Sequence, residues 1–343
     1  MGITIKDVAK LAGVSPSTVS RTCANHSSIS EETKEKVRKA MDALGYEPNF
    51  QASNLASKIS KTIGIVLPVS DSEMYKNAFH LEAMRGIGQY CSQQQYMCTL
   101  VTGDTEKELI HVIKSMVKSG KVDGFIMLYS RKDDKVLEYL CNEGITFVLI
   151  GKAPIRTNQV VYVDNDNVSA AKEATDYLVD MGHQNIAFLC TDAKSIFIQD
   201  RKNGYMLSLA EHQIPFHPEY CVEQSYYHTE NNRELEQLLG SDNPPTAILV
   251  SDDILALAVE ETLVQLNKRI PEDLSLMAFN NSLFTKITRP PLTCIDVNPY
   301  QLGVEAASQV INHVENPNLL ATKIIVPHKI IERKSCKALK NTK

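Results

Sequence analysis

The sequence predicts an α/β protein: a small all-helical unit at the N-terminus, followed by two doubly wound lobes with parallel sheets. Three observations point there. Residues 5–44 repeat apolar positions at helical spacing. From residue 62 onward, short apolar runs of strand length alternate with amphipathic stretches, and such βα alternation implies parallel strands joined by right-handed crossovers. A chain of 343 residues is also too long for one core and calls for two or three domains.

In the first unit, Ile5, Val8, Ala9 and Ala12 give one helix an apolar stripe. Gly13 breaks it, because a residue without Cβ takes the backbone conformation a tight turn needs. Ser15 followed by Pro16 reads as an N-cap and first helical position. In the helix they begin, Val19, Thr22 and Cys23 face inward, leaving Ser17, Thr18 and Arg21 outward. Two short helices joined by a Gly-containing turn, the second presenting hydroxyls and an Arg, form a helix-turn-helix. An ordinary helical hairpin would not need that order of turn, cap and exposed Arg. Ser30 caps a third helix with Glu31 and Glu32 in its first turn, where the helix dipole favours acids. Val37, Ala40, Met41 and Leu44 cover the first two helices, and Gly45 closes a headpiece spanning residues 1–46.

Hydrophobic content of 43% and charged content of 22% are those of a soluble globular protein. No apolar run approaches the ~20 residues of a membrane helix, so no membrane partner is expected. Without a signal peptide the protein is expected in the cytoplasm. Eight scattered cysteines without a CxxC pair predict reduced thiols rather than disulfides or a zinc site. The net charge of −5 is unevenly spread: residues 1–61 hold nine Lys and Arg against six Asp and Glu, leaving −8 on the rest. A basic head on an acidic body is what a DNA reader with a separate sensing body would show.

The stretch TIKDVAKLAGVSPSTVSR is similar to the N-terminal signature of the LacI/GalR family of bacterial transcription regulators, and the similarity runs more thinly over nearly the whole chain. The resemblance implies that Thr4, Ser15, Pro16, Ser17, Thr18, Ser20, Arg21 and Asn25 face DNA. Residues 47–61 have too few apolar side chains for a core, although NFQASNLAS has helix-compatible spacing with Asn49 as its cap. So short a segment does not hold a helix alone, since roughly 12–15 residues are already marginal in water. It is either a flexible tether or a hinge helix that forms against a dimer mate and DNA. The family implies the second, with Asn49, Ala52 and Ser53 at DNA and Leu55 as a minor-groove wedge. Ser53 departs from the common pattern, which has Arg there.

In the body, IGIVLP (63–68), YMCTLV (96–101), DGFIML (123–128) and TFVLI (146–150) read as one set of buried strands. VVYV (160–163), NIAFLC (185–190), AILVS (247–251) and LSLMAF (274–279) read as a second. LTCIDV, a helix over 299–315 and KIIVPHKIIER are too short for a third lobe, so the chain is expected to pass between lobes three times. The body then covers 62–340, with an N-lobe over 62–161 and 292–322 and a C-lobe over 162–291 and 323–340. This resembles the periplasmic-binding-protein-like sensing body of the family, and open sheets of this type bind ligands beyond their strand C-termini.

Enzyme signatures are missing: there is no GxSxG, Walker loop, GxGxxG or HExxH. No catalytic residue and no cofactor are therefore expected. VDNDNVS (163–169) begins like a calcium loop, but Ser169 and Thr175 stand where Gly and Glu are required, so an EF-hand is rejected and no metal is expected. The segment reads as a strand end with Asp164 at an interlobe cleft and Asp166 or Asn167 as a helix cap. Sugars are held by planar polar side chains and aromatic faces drawn from strand ends. On the family's pattern, Arg201 hydrogen-bonds effector, Asp252 contacts it, and Asp253 caps a helix. Asn280 replaces an effector-binding Asp, losing charge-assisted bonding and gaining donors. Phe79, Tyr129 and Phe197 lie near predicted strand ends, as sugar platforms or as core. Arg201 and Asp252 are expected to face each other across the cleft.

These features predict a homodimeric, sequence-specific DNA-binding regulator whose hold on a palindromic operator is set by a small sugar such as maltose or a maltodextrin. Within the family, KDVAKLAGVSPSTV, VDNDNV and PHKIIER are most similar to maltose-operon repressors of Gram-positive bacteria. The alternatives are a catabolite-control-type regulator activated by a phosphoprotein, a sugar-binding transport protein and a sugar-active enzyme.

Overall fold

The computed structural model describes residues 3–23, 25–47, 59–69, 77–192, 195–224 and 233–339. The chain divides into two units, Met1–Ser60 and Lys61–Lys343. In the first, α1 (Ile5–Ala12), α2 (Pro16–Cys23) and α3 (Glu31–Leu44) close on Val8, Ala9, Val19, Val37 and Ala40. Gly13 and Gly45 end α1 and α3 with φ of +68° and +62°, the left-handed region that a Cβ disfavours. Thr22 is buried as expected, but Cys23 is exposed. It is the last residue of α2, at the rim of this small core, where its Sγ lies 3.9 Å from Met41 Sδ. Asn49, Ala52, Ser53 and Leu55 lie outside the described residues.

The second unit holds two six-stranded sheets. One has the order β2 (Met97–Val101), β1 (Thr62–Val66), β3 (Gly124–Met127), β4 (Phe147–Ile150), β5 (Val161–Asp164) and β11 (Lys323–Ile325), with every pair parallel. The other runs β7 (Cys221–Glu223), β6 (Ile186–Cys190), β8 (Ala247–Val250), β9 (Ser275–Phe279), β10 (Thr293–Asp296) and β12 (Lys329–Ile331), parallel except for β12. Strands such as FIM, VLI and AILV are apolar on both faces because helices cover both sides. On the first sheet, α4 (Ala78–Gln93) and α12 (Pro299–Glu315) pack on one face, and α5 (Glu106–Lys118) and α6 (Lys135–Asn142) on the other. On the second, α7 (Asn167–Asp180) and α8 (Ile196–Glu211) oppose α9 (Arg233–Leu239) and α10 (Asp253–Gln265); a short α11 (Phe284–Ile287) follows β9. Helices α4 and α12 approach closely at Gly86 and Gly303, where a Cβ would overlap the Tyr300 and Ala83 carbonyl oxygens respectively.

The strands correct the lobe boundaries. Val161–Asp164, assigned by its sequence to the second set, pairs with β4 in the first sheet; Thr293–Asp296 pairs with β9 in the second, and Lys323–Ile325 returns to the first as its edge beside β5. Each apolar run is compatible with either sheet, and only pairing decides. The chain thus passes between sheets after Asp164, after Asp296 and after Ile325. The buried Asn165 ties these passages together, its amide donating to Val297 O at 3.0 Å and Val326 O at 2.8 Å.

Candidate functional site

The headpiece presents a polar face built by its caps. Thr4 donates from its backbone N and Oγ1 to the Asp7 carboxylate at 2.8 and 2.7 Å, and these bonds hold that carboxyl below its usual range. Ser15 Oγ accepts from Thr18 N at 3.2 Å, as an N-cap should. The same oxygen meets Ser17 Oγ at 2.7 Å and Thr18 Oγ1 at 2.9 Å, which links three hydroxyls at the start of α2. Thr4, Ser15, Pro16, Ser17, Ser20, Arg21 and Asn25 are exposed and Thr18 is half-buried. Val19 beneath them is fully buried. One turn of α2 therefore offers hydroxyls and a guanidinium from a rigid base, the arrangement suited to base edges and phosphates in a major groove.

In the second unit, a cavity of about 450 Å³ lies between the two sheets, the size of a small-ligand site. Phe79, Tyr129, Asp164, Phe197, Arg201, Asp252 and Asn280 all line it. Tyr129 follows β3, Asp164 ends β5, Asp252 follows β8 and Asn280 follows β9, so the lining comes from the carboxyl ends of parallel strands. Phe79 and Phe197 instead stand in the first turns of α4 and α8. The rings combine both roles considered from sequence: Tyr129 is 5% exposed and packs in the first lobe's core, while Phe79 and Phe197 are half-buried.

Arg201 is 5% exposed and held on four sides. Its Nε donates to Asn167 Oδ1 at 2.9 Å and its Nη1 to Ser251 O at 2.5 Å. The guanidinium lies 3.8 Å from the Phe279 ring centre and 4.9 Å from that of Phe197. Asn167 Nδ2 donates onward to Asp164 Oδ1 at 3.1 Å. Loss of hydration pushes the Asp164 carboxyl up to about 7, with Arg201 opposing the shift through its charge.

Two expectations change here. Arg201 on α8 and Asp252 after β8 both belong to the second lobe, so they converge from one wall rather than face each other across the cleft. The helix cap falls on Asp252 rather than Asp253: Asp252, which also lines the cavity, caps α10 through Ile254 N at 3.1 Å and Leu255 N at 2.9 Å, while fully buried Asp253 accepts from Asn280 Nδ2 at 3.1 Å. Asn280 is held with φ +70°, which Asn tolerates better than most residues. Asp166 caps α7 through Ser169 N. Asn167 is therefore free of capping and becomes the link between Asp164 and Arg201.

Sequence reasoning missed Asn167 as a cleft residue, and also Arg131, Lys152 and Asp192, which line the cavity just beyond β3, β4 and β6. The strand-end signal that found Asp164 was present for all three. Among the described residues, no cluster of His, Cys, Asp or Glu is set to hold a metal ion, and no helix is long and apolar enough to cross a membrane.

Comparison with known proteins agrees with this geometry. Residues 4–49 match the family described as bacterial regulatory proteins, lacI family, and residues 175–336 match the periplasmic binding protein-like domain. The chain is 33% identical to the HTH-type transcriptional regulator MalR of Staphylococcus xylosus, over 97% of this chain and 98% of that one. It is 32% identical to catabolite control protein A of Priestia megaterium, over 98% and 100% respectively. A putative transcriptional regulator LacI from Bacillus cereus subsp. cytotoxis superposes with a TM-score of 0.78 at 37% identity, covering 82% of this chain and all of that one. With a helix-turn-helix headpiece, two parallel-sheet lobes around a cleft and full-length relatives, the chain belongs to the lacI family of bacterial regulatory proteins, as a DNA-binding transcription regulator and not an enzyme.

Proposed function

We propose that the chain is a repressor of carbohydrate-utilisation genes that binds a palindromic operator as a homodimer, with its affinity set by a neutral sugar such as maltose or a maltodextrin. The cleft chemistry carries the sugar assignment. Asp164, Arg201, Asp252 and Asn280 line the cavity beside Phe79 and Phe197. Sugar hydroxyls can donate to the two carboxylates and accept from the amide and guanidinium, while the sugar ring stacks on Phe79 or Phe197. A solved relative described as a maltose operon repressor of a Staphylococcus, 28% identical with a TM-score of 0.74, supports the choice of sugar. A transcriptional regulator, CelR, has been solved with cellobiose.

Two-fold assembly is supported by exposed apolar side chains on both lobes: Leu81, Met97 and Leu100 on the first, and Val264, Leu283 and Ile287 on the second. A dimer doubles the contacts of one headpiece and matches protein symmetry to a palindrome. Ligand would act by binding one arrangement of the lobes better than another, so that the hinge segment 47–61 is favoured or melted. The site of action is the cytoplasm, where the DNA is. Titration calorimetry with maltose, maltotriose, glucose and a sugar phosphate tests the assignment. Saturable binding of the neutral oligosaccharides is expected, and preference for the phosphate would overturn it. A regulator worked by a phosphoprotein would show no operator response to any sugar alone.

A further inference from the structure

Three contacts bridge the mouth of the cleft, and their charges are sorted by lobe. Lys152, just beyond β4 of the first sheet, places Nζ 3.0 Å from Asp200 Oδ2 on α8 of the second lobe. Arg131, beyond β3, places Nη2 3.4 Å from Asp192 Oδ2, beyond β6. Between them Arg131 and Ser195 form an antiparallel backbone bridge. Both cations stand on the first lobe and both acids on the second. The two rims are thus complementary in charge across the cleft.

Both rims are built to hold these charges in place. Ser130 Oγ donates to Lys152 O at 2.5 Å, tying the two first-lobe loops together. Ser195 Oγ donates to Asp192 Oδ2 at 2.8 Å on the other side. The Asp200 side chain is only 15% exposed, whereas Lys152 is 48% exposed. The acid is therefore a fixed post, and the Lys is the arm that reaches it. Lys152 responds to the contact: hydrogen bonding to Asp200 raises its pKa.

We propose that Lys152–Asp200 and Arg131–Asp192 form an electrostatic latch between the lobes, with Asp200 a positioning residue that acts through Lys152 to hold the cleft shut over its ligand. The latch rests on the effector reading of the cleft only for its physiological purpose; its existence can be measured without ligand. Part-exposed pairs of this kind are worth roughly a two- to five-fold change in an equilibrium each. Two together with the backbone bridge make closure sensitive to salt.

The test is a charge swap in the full chain: Lys152→Glu, Asp200→Lys, the double variant, and Asp200→Asn as the mildest change. Hydrogen exchange of amides over 129–133 and 195–201 is followed at low salt and at about 0.5 M NaCl, where screening falls to about 4 Å. The single variants and high salt should each raise exchange at both rims a few-fold while the β-strands stay protected. The double variant should return to within about two-fold of the parent. Maltose affinity should fall and recover in parallel. Unchanged rim exchange in the single variants, or no recovery in the double, overturns the latch. Loss of maltose binding without change in exchange also overturns it and makes Lys152 a direct ligand contact. Rim exchange that behaves as expected in a protein that binds no sugar leaves the latch standing and removes the effector reading.

Discussion

Replacing Asp164 by Asn probes the cleft and its electrostatics together. The carboxyl is 8% exposed and raised from 3.8 to about 7 because burial strips its hydration; Arg201 and Lys152 offset this only in part. In the unfolded chain it returns to ~3.9. Between those values the folded state keeps a proton that the unfolded state has released, so stability falls as pH rises from ~4 to ~7 and is flat above. About three pKa units at ~1.4 kcal/mol each give a penalty of about 4 kcal/mol at neutral pH, as an upper bound. Asn imitates the neutral carboxyl in size and does not ionise. The variant should therefore match the parent near pH ~4.5 and exceed it by roughly 2–4 kcal/mol near pH ~8. Glu260, raised to about 7 by burial, gives a slope of the same sign in both proteins and cancels in the difference. Urea unfolding followed by far-ultraviolet circular dichroism at both pH values measures it. Parallel pH profiles for parent and variant would refute the burial of an ionisable Asp164. A cleft carboxylate that gains charge near pH ~7 should also accept sugar hydroxyls better above that pH, and the Asn variant should lose this dependence.

Arg21→Ala should weaken operator binding by ~1–3 kcal/mol and relax preference at one position per half-site, if Arg21 reads a guanine edge; equal loss on all DNA sequences makes it a phosphate contact. Arg201→Ala should abolish sugar binding by calorimetry and lower stability by about 2–4 kcal/mol, since Asn167 and Ser251 each lose a charged donor. A folded variant that still binds sugar removes Arg201 from the site. Leu55→Ala should weaken specific binding far more than non-specific binding and reduce DNA bending, because a wedge is tolerable only where bent DNA returns contact elsewhere. A gel shift showing the same affinity and bend makes the segment a tether.

The headpiece was legible almost residue by residue, because its helix boundaries are set locally. Gly13, Ser15 and Ser30 act through their own backbone and the next turn. Cys23 escaped because helical spacing says which face a residue is on, not where a small core ends. The two lobes were legible as βα alternation, but β5, β10 and β11 are interchangeable as apolar runs, and their sheet is chosen by partners far away in sequence. In the cleft, strand ends found Asp164, Asp252 and Asn280. That Asp252 and not Asp253 caps the helix is not legible, since adjacent acids offer the same chemistry and only the local backbone selects the cap. Asp166 and Asn167 are likewise equal candidates for a cap in the sequence; Asp166 takes it, which leaves Asn167 to bridge to Asp164.

The most direct measurement is the affinity of the full-length chain for a palindromic operator with and without maltose, by fluorescence anisotropy at fixed salt, beside Arg201→Lys. The parent should bind as a dimer, with maltose changing its operator affinity at least five-fold, the usual lower end of allosteric coupling. Arg201→Lys should bind the same DNA with no maltose response. Operator binding that ignores maltose in the parent, or a response that survives in the variant, would contradict control of DNA binding through this cleft.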